Sequence, residues 1–137
     1  MEIDLALLAD AATVDSSGKL NVLGVFDRIS ASQFPAQHGR MCLVLRFAAS
    51  VTEAGPHDVL ITLKGPAGKE VFKVDGEMNL APGPGAAGEG IRVPQVLHLD
   101  GVVFERPGPY SFDVGIDGDH HVSMALNVVD LGTTAEA

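Results

Sequence analysis

Positive charge is scarce in this chain of 137 residues: nine Lys and Arg stand against eighteen Asp and Glu, a formal net charge of −9. A nucleic-acid binder needs a basic face to displace counterions, and docking on anionic lipid needs one too, so both partner classes are excluded as general roles. Cysteine is nearly absent. Cys42 stands alone, so no internal disulfide can form and nothing calls for an oxidising compartment. No apolar run approaches the ~18 residues of a membrane-spanning helix. The opening Met1-Glu2-Ile3-Asp4 is acidic where a secretory signal is basic. The expectation is a soluble, cytoplasmic protein.

Helical periodicity is also missing. No amphipathic stretch of ~10–15 residues separates any two apolar runs, which argues against a parallel βαβ architecture. No fixed-period repeat appears, so solenoids and propellers drop out. What the chain has instead is period-two alternation. Tyr110, Phe112, Val114 and Ile116 alternate with Ser111, Asp113, Gly115 and Asp117, and Val122, Met124, Leu126 and Val128 with Ser123, Ala125 and Asn127. Asp117-Gly118 joins the two runs and predicts a β-hairpin with one face in the core.

Further strands are expected at residues 59–64, 70–74 and 91–99. The runs 20–29 and 41–47 are apolar on both faces, as in central strands or strands that something else covers. Residues 3–13 fit an edge strand or a short helix, since Ala6, Ala9, Ala11 and Ala12 favour helix; the Asp15–Gly18 turn that follows favours strand. Residues 30–39 are long enough to cross between sheets, 79–90 read as a mobile Gly/Pro/Ala loop, and 132–137 as a frayed tail behind a single domain of residues 1–131. The fold class is all-β: an antiparallel β-sandwich of about seven to nine strands, Greek-key, immunoglobulin-like or jelly-roll-like.

Chemical motifs are few. Gly83-Pro84-Gly85-Ala86-Ala87-Gly88 spells GxGxxG, but two prolines remove backbone donors and a strand follows where a helix must open, so it reads as a linker. There is no Gly-x-Ser-x-Gly elbow, and Cys42 lies in an apolar strand where a thiol is inert. No catalytic residue and no cofactor is assigned. Asp117, Asp119, His120 and His121 are the densest set of ligand-type side chains and the candidate divalent-metal site. The alternative is a polar hairpin tip, because neighbours on a strand point to opposite faces and His120 and His121 converge only inside a turn. His57 and His98 are possible additions to that set. Pro107-Gly108-Pro109-Tyr110 entering a strand resembles the tyrosine corner of Greek-key sandwiches. No Lys or Arg follows Arg106, so the last hairpin presents an acidic rim: a device for solubility and edge protection, or a dock for a basic partner.

Leu8-Ala9-Asp10-Ala11-Ala12, then Gly18-Lys19-Leu20-Asn21-Val22-Leu23-Gly24-Val25-Phe26-Asp27-Arg28-Ile29 and Phe34-Pro35, resemble a family of small bacterial domains of unknown function. Pro107-Gly108-x-Tyr110-x-Phe112-x-Val114-x-Ile116-Asp117-Gly118 is similar to that family's penultimate strand and turn, and the resemblance spans about residues 3–130. It implies a stand-alone β-sandwich and supplies no catalytic residue. The functional expectation is a non-enzymatic interaction or structural module with a protein partner or self-association. The alternative is a small-ligand or metal-binding sandwich that uses the 117–121 turn.

Overall fold

The computed structural model describes residues 1–81 and 90–134. Nine strands form two stacked sheets: β1 (Glu2–Val14), β2 (Leu20–Phe26), β3 (Arg28–Ala31), β4 (Ala36–Ala49), β5 (Gly55–Lys64), β6 (Glu70–Leu80), β7 (Ile91–Phe104), β8 (Gly108–Ile116) and β9 (His120–Asp130). The first sheet has the order β2-β1-β4-β7 and the second β3-β9-β8-β5-β6. The chain changes sheets between β2 and β3, β3 and β4, β4 and β5, β6 and β7, and β7 and β8. The resulting β4–β7 and β5–β8 pairings, with β8–β9 as a hairpin, are the immunoglobulin-like Greek key rather than the jelly roll.

The β8–β9 hairpin forms as its alternation dictates. Tyr110, Phe112, Val114 and Ile116 are buried, as are Leu126 and Val128 at the far end of the partner strand. Asp117 (φ 53°) and Gly118 (φ 69°) both take positive φ, the requirement of a type I′ turn, and the Asp119 N–H donates to the Ile116 carbonyl at 3.0 Å. At the other end of β8 the Tyr110 hydroxyl donates to the Arg106 carbonyl at 2.8 Å, and its ring meets Phe104 edge-on with centroids 5.0 Å apart. This is a tyrosine corner, placed where β7 passes over into β8.

β4 is central, as its composition requires. Met41, Leu43, Leu45 and Phe47 face the second sheet and pack with Ile61, Leu63, Phe112 and Val114 in the main core. A second apolar cluster joins Cys42 and Val44 of β4 to Ala9 and Ala12 of β1, with Leu7, Val22 and Val96 packed against it. The two-sided hydrophobicity of β4 therefore has two destinations.

Three expectations are corrected. β1 is neither an edge strand nor a helix: it lies between β2 and β4, and paired ladders on both sides override the helix preference of its alanines. The run 20–29 is not one strand but breaks at Asp27, so β2 stays in the first sheet and β3 enters the second. The sandwich is not wholly antiparallel, because β3 runs parallel to β9, from Arg28↔Asn127 to Ala31↔Asp130, with the Asn127 N–H bonded to the Asp27 carbonyl at 2.9 Å. The 32–35 segment that then crosses back to β4 contains a cis Phe34-Pro35 bond. Asn79 and Leu80 end β6, and residues 131–134 form one helical turn. The GxGxxG stretch at 83–88 and the tail beyond 134 lie outside the described residues.

Candidate functional site

The hairpin tip scatters its four ligand-type side chains. Asp117, held at positive φ by the turn, points across to β5: its Oδ2 lies 2.6 Å from His57 Nδ1 and its Oδ1 accepts the Asp58 N–H at 2.8 Å. His120 opens β9 facing β1, where its Nε2 accepts the Ile3 N–H at 3.2 Å. His121, one residue on, takes the opposite face, over Leu60, Thr62 and Asp113. Asp119 borders a polar recess with Met1, Ser50, Glu53 and His120. Among the described residues no three His, Cys, Asp or Glu side chains come together as a metal-holding group.

The partner of Asp117 is His57, which lies sixty residues earlier in the chain. His57 Nε2 lies 2.6 Å from the Glu53 carbonyl, so both ring nitrogens face acceptors and both must donate. The imidazolium is the form that satisfies this geometry. The bond to Asp117 foremost, and that to the Glu53 carbonyl after it, raise the His57 pKa above its ordinary value. The reciprocal bond from His57, followed by the Asp58 N–H, lowers that of Asp117. Glu53 is itself held by the Ser50 N–H at 3.1 Å and by the Met1 ammonium, which depresses its carboxyl. The whole constellation clamps the start of β5 to the β8–β9 turn.

Other titratable groups are similarly committed. Asp4 bridges Arg46 (2.8 Å) on β4 and Arg92 (3.4 Å) on β7, and the Arg46 hydrogen bond lowers its pKa. Asp113 is lowered by the Ser123 hydroxyl and by Lys64, whose ammonium is 3.3 Å away. Cys42 Sγ lies 3.4 Å from His98 Nδ1, a contact between β4 and β7 that sequence order does not suggest, but the cysteine is fully buried.

One flank of the sandwich is built differently. β7 ends the first sheet and β6 the second on the same side, with no ladder between them. Between them a groove of about 200 Å³ is lined by Leu45, Phe47, Val59, Ile61 and Leu97 of the core and its margin and by the exposed Val74 of β6. Toward the tyrosine corner a cleft of about 380 Å³ has an apolar wall of Val71, Phe72, Val102 and Val103 and a charged rim of Lys69, Glu105 and Arg106. The sequence reading missed this flank. The signals present were the apolar alternation of residues 70–74 and the two-sided apolar run 91–99.

No curated protein matches the sequence. Among solved structures, the β-glucosidase from Listeria innocua in complex with isofagomine aligns with a TM-score of 0.51 and 11% identity over 77% of this chain. The Pseudomonas fluorescens alkylpurine DNA glycosylase AlkC bound to DNA containing an abasic site analog aligns at 0.45 and 11% over 93%. An immunoglobulin-like protein from Pseudomonas aeruginosa aligns at 0.42 and 16%, covering 93% of this chain and 94% of its own. The chain spans only 15% of the glucosidase and 30% of the glycosylase, and the likeness to the glucosidase concerns the fold alone. A family model matches residues 4–129, and the chain belongs to that family, a family of unknown function designated DUF6941.

Proposed function

We propose that this protein is a non-enzymatic binding module that takes an extended polypeptide segment along the flank between β6 and β7. The observation that carries this reading is the apolar groove there. Phe47 and Leu45 on β4 lie fully buried at its floor, and Val74 on β6 is its exposed apolar wall between two strand edges. An extended segment laid along such an edge gains main-chain hydrogen bonds while alternate side chains enter the groove. Elsewhere the groups that could do chemistry are engaged in ties within the fold: His57 with Asp117, Asp4 with two arginines, Asp113 with Ser123 and Lys64. Such ties perturb pKa values for structural reasons.

The test is site-specific photo-cross-linking in cells of the source organism. A cross-linking amino acid is placed at Val71 or Glu77 on the flank, or at Ser17 in the distant β1–β2 turn as control. Discrete protein adducts are expected from the two flank positions, none from Ser17, and none from the flank once Val74→Arg charges the groove. Adducts that ignore position or survive Val74→Arg overturn the reading.

A further inference from the structure

The two sheets leave four edges, and three of them are blunted. β2 is seven residues long and carries Gly24 at φ 74°; β3 has only four residues, and β9 beyond it is open only over residues 120–126. β7 contains Pro94, which has no N–H to give, and Gly101 at φ 72°. β6 runs eleven residues with neither a proline nor a positive-φ residue. An edge of that length with no interruption is a template for another strand.

The pairing of β6 with β5 fixes which side chains share a face. Val74 lies opposite Ile61 and Gly76 opposite Val59 on the core side, whereas Lys73 opposite Thr62 and Asp75 opposite Leu60 alternate with them on the outer side. Consider a two-fold axis through Val74, perpendicular to the sheet. A second β6 then runs antiparallel to the first, with Lys73 opposite Asp75 of the second copy and Asp75 opposite its Lys73. On the core side Phe72 faces Gly76 of the second copy, and a Cβ at Gly76 would meet nothing within 4 Å, so the space that a neighbouring ring needs is open. Neither Lys73 nor Asp75 forms an ion pair among the described residues of one copy.

The neighbouring registers fail. Moving the axis by one residue places Lys73 against Lys73 or Asp75 against Asp75, and like charges directly opposite are destabilising. A half-residue shift puts core-facing side chains opposite solvent-facing ones, which a pleated sheet does not allow.

We propose that two copies of this chain pair through β6, antiparallel about Val74, merging their five-stranded sheets into one. This rests on the β6–β7 flank being an interaction surface and names its occupant: a second copy, recognised by the reciprocal Lys73–Asp75 pairs. The homodimer is isologous, so each contact occurs twice.

Sedimentation equilibrium over a wide concentration range, at low salt, tests the proposal on wild type, Lys73→Asp, Asp75→Lys and the double swap. All substituted side chains lie on the outer face of an edge strand, and circular dichroism checks that each variant folds. Wild type is expected to dimerise. Each single reversal creates two like-charge contacts and weakens association by about tenfold or more, while the double swap restores it to within about threefold. A wild type that stays monomeric throughout, or a dimer indifferent to both reversals, overturns the proposal. The broader reading fails separately. A monomer whose Val71 and Glu77 positions still cross-link to a different protein, in a Val74-dependent way, refutes the second copy as occupant and keeps the flank. A monomer with no such adduct refutes both.

Discussion

His57 and Asp117 lie sixty positions apart in the chain and 2.6 Å apart in space, and together they fasten the entrance of β5 to the tip of the last hairpin. Each ring nitrogen of His57 faces an oxygen, one a carboxylate and one a main-chain carbonyl, so the pairing works only with a doubly protonated ring. Asp117 reaches that position because a type I′ turn forces it to positive φ.

The clamp therefore depends on pH in both directions. The folded-state pKa of His57 is raised above 6.5, so its contribution is complete below pH ~6.5 and is lost as pH rises through the raised value. Asp117 is lowered below 3.8, so its contribution is present above pH ~3.8 and is lost as pH falls through the lowered value. The window of full effect is weakly acidic. Thermal melts of wild type and His57→Gln, from pH 3 to 9, should differ most inside that window, by about 2 °C for a half-exposed pair. A difference that grows toward pH 9 would contradict the imidazolium assignment.

Tyr110→Phe should cost about 1 kcal/mol, because it removes one neutral hydrogen bond, to the Arg106 carbonyl, and keeps the ring against Phe104. In urea unfolding the midpoint should fall with the slope unchanged. A neutral result would mean that the corner is held by ring packing alone.

Cys42 is fully buried between β1 and β7. A thiol-specific reagent should label the native protein at least about a hundredfold more slowly than the urea-unfolded chain, since labelling must await opening. Intact mass against time measures both rates. Comparable rates would show that the outer cluster of the first sheet is open in solution.

Much of this fold is legible in the sequence. The last hairpin is specified by strict alternation around Asp117-Gly118, the centrality of β4 by its two-sided apolar run, and the corner by Pro-Gly leading into a strand with the only tyrosine near its start. What escapes a linear reading depends on register between distant strands. The break at Asp27 carries no proline or glycine, and it becomes visible only when the next four residues are seen against β9. The metal expectation at Asp117, Asp119, His120 and His121 rested on adjacency, whereas the strand pleat and the turn send these side chains in separate directions. His57 is visible in the sequence as a ligand-type side chain, but its pairing follows from Val59 lying opposite Ile116, which no local pattern encodes.

Among the described residues β3 finds its only ladder on β9, with Arg28 opposite Asn127. As the ribosome releases the chain from its amino end, the short strand emerges early and has nothing to dock on until the final hairpin follows, about a hundred residues later. Closing so long a loop is slow compared with forming a local hairpin. During synthesis the rim of the second sheet therefore stands open until β9, about a hundred residues downstream of β3, has emerged to pair with it.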